Sequence, residues 1–380
     1  MNLMWTFRNS ETENRTVTSV CWNKANNNIL AVGYGKYYYK DNIDGLVCCW
    51  SVKNPCQPER IFHLPHPVTT VSFSTEEPNL LAVGCYNGAL YVINVASQTP
   101  DLIVLNELKN VPIYGPLWKV LWFHRTDFVT ETEEIISVGQ SGQVQKWSIE
   151  ADYACYELMK LKYFHQSDGN TEEKITMRHM AGLSLSLHPT NRTLYYVVTE
   201  EGYIALCSIT NRNQYVSITR GHIGPIYGIH HSPFCSQIFV THGADWNICF
   251  WAENVSEPLF KLCSTMEAVN DVAWSPTHST ILASVSGDSV FLWDIARKIV
   301  MPLTTTKVLT GNLTIVVFSP SGKNLLIGDM RGNVHVYSLT EMPQPPYLQK
   351  EALIRSLENA LISKPEMIKK LQDALLESCE

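Results

Sequence analysis

The chain has 380 residues, of which 45% are apolar and 17% charged, and its net charge is −7. This is an ordinary globular composition on the acidic side, without the basic field that nucleic acid or an anionic membrane surface requires, so neither is expected as a partner. The polar opening, MNLMWTFRNSETENR, is not a secretory leader, and no run of 18 apolar residues is present to span a bilayer.

The first strand-like segment is 3–8 (LMWTFR), ahead of any repeat. From Val17 onward, three short apolar strands separated by turns recur seven times. The opening strands of these units are 17–22, 68–73, 117–123, 182–187, 226–231, 269–274 and 313–318. The third strands end near a marker position occupied by Trp50, Ile93, Trp147, Cys207, Trp251, Trp293 and Tyr337, at intervals of 43, 54, 60, 44, 42 and 44 residues. A period of about 40–45 residues with such an ending is that of a propeller blade made of four strands. Turns between second and third strands carry Asn87-Gly88, Ser141-Gly142, Glu201-Gly202 and Arg331-Gly332, where glycine supplies the positive φ of a tight hairpin.

The predicted fold is therefore all-β. It is a seven-bladed WD-repeat β-propeller over 1–340, followed by a Pro-rich linker at 341–346 and an amphipathic helical tail at 347–380. The last repeat has no outer strand after Leu339, because the sequence turns to EMPQPP, which cannot pair. Residues 1–10 are expected to supply that strand and close the ring.

Two intervals are long. One contains 126–134, read as an acidic loop whose Glu131–Glu134 carboxylates are solvated, and the other contains 150–180, with 153–163 as an outer strand or short helix and 166–173 as an exposed loop. The first repeat replaces its tight turn with 34–45 (YGKYYYKDNIDG), so Tyr37, Tyr38, Tyr39 and Lys40 are either self-packed on the rim or candidate partner contacts. In the tail, Leu353, Leu357 and Leu361 step by four, and Ile368, Leu371 and Leu375 continue at helical spacing. This apolar stripe either folds back on the propeller or docks on a partner, with Leu353, Leu357 and Leu361 as the candidate contacts.

Few residues point to chemistry. His222, Thr241, Asp245 and Trp251 have the residue types of a buried relay, Asp to His to hydroxyl to indole, which staples a blade rather than forming a catalytic triad. His230, His231, Cys235 and His242 are close in sequence, but adjacent strand residues point to opposite faces and no metal-site spacing fits. Gly33-Tyr-Gly35-Lys36 ends a strand and opens no helix, so it is not a phosphate loop. No catalytic residue, metal or cofactor is expected. The eleven cysteines include no Cys-x-x-Cys pair and are read as reduced thiols of a cytoplasmic protein.

The first repeats carry a more specific pattern. They read AVGYG at 31–35, GLVCCW at 45–50, SVKNP at 51–55 and PER at 58–60, then PNLLAVG at 78–84, YNG at 86–88 and PLWKV at 116–120. This resembles the dynein intermediate chains, particularly the axonemal ones, with inner-arm-type chains nearest; the likeness covers about 15–340 and is strongest in the first three repeats. The resemblance implies a non-enzymatic motor subunit whose propeller binds a dynein heavy-chain tail, supporting motor assembly and motility in the cytoskeleton of a ciliary or flagellar axoneme. A second intermediate chain is a further partner it allows. Chains of this family usually carry a long N-terminal extension that recruits light chains, whereas this sequence starts almost at the first blade, which puts light-chain binding in doubt. The alternative is a general WD-repeat scaffold, such as a ubiquitin-ligase substrate receptor or a trafficking adaptor.

Overall fold

The structure is a computed structural model and describes residues 1–36, 44–97, 102–105, 115–126, 131–148, 154–166, 175–297, 299–309 and 311–376. Seven four-stranded antiparallel sheets, here blades 1 to 7, are arranged around a central channel of about 860 Å³. Their innermost strands are Thr16–Trp22, Val68–Phe73, Leu117–Thr126, Gly182–Leu187, Ile226–His231, Val269–Trp274 and Leu313–Phe318. Each touches the next, and the seventh touches the first.

Ring closure follows the sequence reading with a shift of one residue. Asn2–Phe7 pairs antiparallel with Val334–Ser338 and becomes the outer strand of blade 7. Phe7, at the end of that strand, is buried with its ring centroid 5.2 Å from that of Trp50 in blade 1. The closing strand thus joins opposite ends of the chain and also seals the seam between the last and first blades.

Blades bury both faces against their neighbours, so their strands need no polar alternation. The third strand of blade 1, Gly45–Ser51, is buried at every position. The marker aromatics are fully buried and their indole N–H groups are satisfied within the blade. Trp50 donates to the Tyr34 hydroxyl at 3.2 Å, Trp147 to Ser137 Oγ at 3.1 Å and Trp293 to Ser284 Oγ at 2.9 Å. In blade 4, where the marker is Cys207, the residue paired with it is Tyr195, which is also fully buried. The aromatic has moved to the neighbouring strand and the blade keeps its bulk.

Blade 3 corrects part of the sequence reading. Within the segment read as an acidic loop, Thr126 and 131–134 are strand residues, since Leu117–Thr126 and Glu131–Gly139 pair out to Thr126 and Glu131, while 127–130 lie outside the described residues. Glu133 and Glu134 are buried rather than solvated. Glu133 accepts from the Thr75 backbone N–H at 2.8 Å, from the Thr75 hydroxyl at 2.6 Å and from the Ser74 hydroxyl of blade 2, and Lys146 Nζ lies 3.0 Å from Glu134 Oε1. A carboxylate can be buried when several donors receive it; those of Glu133 come from the neighbouring blade 2, while Lys146 belongs to blade 3 itself. The segment after blade 3's third strand is the outer strand Ala154–Lys160, followed by a hairpin of Lys162–Gln166 with Ile175–His179.

The tail forms two helices, α1 (Gln349–Ala360) and α2 (Pro365–Leu376). Pro365 opens α2, where a missing N–H costs nothing. Leu353, Leu357 and Leu361 are corrected from partner contacts to core residues. With Met367 and Leu371 they are buried in one apolar cluster with residues of blades 5 and 6, among them Phe250, Phe260 and Trp293. Gln349 fixes the start of α1, accepting from the Ser279 N–H at 2.8 Å and donating to the Thr277 carbonyl at 2.9 Å. Burying three leucines contributes about 1.5–3 kcal/mol each, which holds the apolar stripe on the propeller.

Candidate interaction face and channel

The four residues read as a relay come together in blade 5. His222 Nδ1 lies 2.7 Å from Asp245 Oδ1, His222 Nε2 lies 2.7 Å from Thr241 Oγ1, and the Trp251 indole donates to Thr241 Oγ1 at 2.8 Å. A single proton arrangement satisfies all three contacts: His222 donates from Nδ1 to the carboxylate, Thr241 donates to Nε2, and the same hydroxyl accepts from the indole. Burial, the largest single influence, would raise the Asp245 carboxyl, but the interactions with His222 and the hydrogen bonds from Asn247 together outweigh it and hold the group at about 2. Thr241, His222 and Trp251 are buried within the blade, and Asp245 is partly buried at its edge.

The relay also orients the molecule. It ties the loop before blade 5's inner strand to the turn between its second and third strands, so these two loop types share one face. On that face stand Ile223, Met266 and Leu309, which are 83–99% exposed, and Trp246, which is 46% exposed. Trp246 holds a positive φ of 69°, a conformation that bulky residues avoid.

The same face contains the channel mouth, which is built by a repeated backbone device. All seven inner strands carry a register shift at one place, between Val17/Ser19, Val68/Thr70, Leu117/Lys119, Gly182/Ser184, Ile226/Gly228, Val269/Asp271 and Leu313/Ile315. A bulge leaves its extra residue out of the ladder and re-aims its side chain. The extra residues are Thr18, Thr69, Trp118, Leu183, Tyr227, Asn270 and Thr314, and all seven line the mouth.

They divide into two groups. Four donate to a backbone carbonyl in the first two residues of the next blade's inner strand. Thr18 reaches Val68 O at 2.9 Å, Asn270 reaches Leu313 O at 2.6 Å, Thr314 reaches Val17 O at 2.6 Å, and Thr69 reaches Leu117 O. Blades 6, 7, 1 and 2 are thereby pinned one to the next. In blades 3, 4 and 5 the position holds Trp118, Leu183 and Tyr227. The Trp118 indole donates sideways to Gln140 Oε1 at 2.8 Å, Gln140 passes on to Glu200 Oε2 at 3.0 Å, and Tyr227 is 41% exposed. This half of the mouth thus presents two aromatic rings and a leucine beside the polar pair Gln140 and Glu200, on the face that also exposes Trp246 and Ile223. The bulge residue occupies the second position of six inner strands and the third of Thr16–Trp22, and was not singled out from the sequence, where strand periodicity hides it.

Of the other residues singled out, Tyr37, Tyr38, Tyr39 and Lys40 lie outside the described residues. The histidine group is split as strand geometry requires. The His231 ring packs on Tyr196 and Phe239, with Ser186 Oγ at 2.9 Å, and burial pushes its imidazole down to about 3. Cys235 is buried beside Gln237, while His230 and His242 line the channel. Burial pushes the thiols of Cys49, Cys85 and Cys249 up to about 12, so they remain protonated and unreactive. Among the described residues, no helix is long and apolar enough to cross a membrane.

Fold, marker residues and a loop-bearing face define the class, a seven-bladed WD-repeat propeller closed by its N-terminal strand. The family profile described as "Dynein axonemal intermediate chain 3 WD40 domain" matches residues 6–107 and 190–339. The chain belongs to this family, the WD40 domains of axonemal dynein intermediate chains. The match passes over 108–189, which hold blade 3 and the following hairpin, so within the profile the likeness lies in blades 1, 2 and 5–7 and part of 4 rather than in the first three repeats. Among similar proteins, dynein axonemal intermediate chain 4 of Homo sapiens is 36% identical over 90% of this chain and 41% of its own length. The 78 kDa intermediate chain of the flagellar outer arm dynein of Chlamydomonas reinhardtii is 29% identical over 97% of this chain and 53% of its own length. The ciliary dynein intermediate chain 2 of Heliocidaris crassispina is 27% identical over 96% and 53%. The chain thus spans about half the length of the relatives it matches.

Proposed function

We propose that this chain is a non-catalytic subunit of an axonemal dynein in a cilium or flagellum, and that its propeller holds the tail of a dynein heavy chain. Family membership supports the motor context, and the channel mouth supports the mode of binding. The carrying observation is that Trp118, Leu183 and Tyr227 stand where the other four blades place inter-blade hydrogen-bonding residues, which puts two aromatic rings and a leucine at half of the mouth, on the face that also exposes Trp246 and Ile223. Such residues serve as contact anchors because they offer large area with few torsions to fix. A helix of the heavy-chain tail laid across blades 3–5 would cover them. The scaffold alternative required the first-repeat pattern to be coincidental, and the family match stands against that.

The test is purification of the tagged chain from ciliated cells followed by mass spectrometry. Axonemal dynein heavy chains should co-purify, and any light chains recovered would show whether this chain reaches them. Ligase or vesicle-coat components without heavy chain, at good recovery of the tagged chain, would overturn the proposal.

A further inference from the structure

Within the channel, two histidines of blade 5 and one aspartate of blade 6 converge. His230 Nε2, His242 Nε2 and a carboxylate oxygen of Asp271 all lie within 4.8 Å of one another. Asp271 Oδ1 is 3.6 Å from His230 Nε2 and 3.8 Å from His242 Nε2.

His242 is the informative member. Its Nδ1 sits 3.0 Å from the Val269 carbonyl, which can only accept, so Nδ1 carries the proton and Nε2 presents a lone pair. The side chain is 1% exposed, and Nε2 has no hydrogen-bond partner. Facing it is a carboxylate oxygen, a second lone-pair atom, across a gap too wide for a hydrogen bond. A buried nitrogen left in this way is costly unless something positive takes the space.

The surroundings hold that arrangement in place. Asp271 Oδ2 accepts the Val316 N–H of blade 7 at 3.0 Å, and Oδ1 accepts the Val272 N–H at 2.9 Å. Ser19 does the same inter-blade work in blade 1, accepting the Val71 N–H at 3.1 Å. Stapling blades therefore explains Oδ2 and needs no carboxylate, while Oδ1 is left aimed at the two imidazoles. The space above them is kept open by Gly228, where an added Cβ would stand 2.3 Å from His242 Nε2 and 3.2 Å from His230 Nε2.

We propose that His230, His242 and Asp271 form a site for a first-row divalent transition ion, with Zn²⁺ as the occupant best suited to two imidazoles and a carboxylate. Ligands about 2.0–2.1 Å from a tetrahedral zinc stand roughly 3.3 Å apart, so the two carboxylate–imidazole separations of 3.6 and 3.8 Å close by a few tenths of an ångström, while the imidazole–imidazole separation, within 4.8 Å, closes by up to about 1.5 Å. The Val269 carbonyl behind His242 is the outer-shell partner that fixes a ligating imidazole. His230 is one-third exposed to the channel, which leaves the fourth position to water. An all-oxygen cation such as Mg²⁺ or Ca²⁺ is disfavoured by the nitrogen donors. With ligands from two blades, the ion clamps the seam between blades 5 and 6 from inside the channel.

The test uses the full chain, stripped with chelator and titrated with Co²⁺ and Zn²⁺ under reducing conditions. One equivalent of Co²⁺ should bind with visible d–d absorption and no near-ultraviolet thiolate charge-transfer band, and Zn²⁺ should displace it and raise Tm. His242→Ala and Gly228→Ala should each weaken Zn²⁺ binding at least tenfold and abolish the Tm rise. Should His242→Ala fail to fold, His230→Gln at the partly exposed position should give the same loss. Absence of saturable binding, a thiolate-type spectrum, or binding unchanged by His230→Gln and Gly228→Ala would overturn the assignment.

Discussion

At the bulge of the inner strand, blades 6, 7, 1 and 2 place Asn270, Thr314, Thr18 and Thr69, and each of these side chains bonds to a backbone carbonyl in the first two residues of the following blade's inner strand. Blades 3, 4 and 5 place Trp118, Leu183 and Tyr227 at the same backbone position, facing the mouth. The backbone is shared and the side-chain role is not. The stapled half includes the seam where the chain's two ends meet, since Thr314 reaches Val17 and Phe7 packs on Trp50 across it. One of the four bonds, Thr314 to Val17, crosses the seam where no covalent link joins consecutive blades; the other three join blades that are also consecutive in the chain. In blades 3–5 the same position faces the mouth instead.

The comparison can be broken first at the closing strand. Phe7→Ala should cost about 3–5 kcal/mol, and removal of 1–8 should cost more, read as loss of Tm in chemical or thermal unfolding. An unchanged Tm after the deletion would show that closure by this strand does not hold the ring. Next comes the tail, where Leu357→Ala should cost about 2–5 kcal/mol, measured the same way, because the side chain is core rather than contact surface.

Within blade 5, Thr241→Val leaves the indole of Trp251 and the Nε2 of His222 without the shared hydroxyl, at about 1–3 kcal/mol, whereas Thr241→Ser should recover most of it. The same relay carries a pH signature. Asp245 is held at about 2 against an ordinary 3.8, so its contribution is complete above about 3.8 and is lost as pH falls through about 2. Unfolding curves of the native chain and Asp245→Asn should therefore converge over that window and run parallel above it. The smallest effects separate the two halves directly. Thr314→Val should cost about 1 kcal/mol, while Tyr227→Ala should change stability by no more than about 0.5 kcal/mol.

The fold was legible because a propeller writes its period into the chain. Marker residues at Trp50, Trp147, Trp251 and Trp293, with Ser-Pro and Asn-Gly turns between them, are local signals, and a missing outer strand after Leu339 points to a donor elsewhere. What eluded sequence reasoning depends on partners distant in the chain. The helical stripe of Leu353, Leu357 and Leu361 is the same whether it covers blades 5 and 6 or another protein, so its direction needed the packing. Glu133 and Glu134 read as surface charge because their donors, Ser74, Thr75 and Lys146, are supplied by other strands. The bulge residues are obscured because one extra residue breaks the period-two alternation at the point where it matters, and Asp271 is unlinked to His230 and His242 until blade 6 is set beside blade 5.

The most direct measurement is quantitative recovery of dynein heavy chain on tagged native chain, on a Trp118→Ala/Tyr227→Ala/Ile223→Ser variant and on Thr314→Val, all purified from ciliated cells after their folding is checked by Tm. The account predicts at least a tenfold fall in heavy chain for the triple variant at near-native Tm, with recovery on Thr314→Val unchanged. Equal recovery on all three would contradict the assignment of the Trp118, Leu183 and Tyr227 half of the mouth as the docking face.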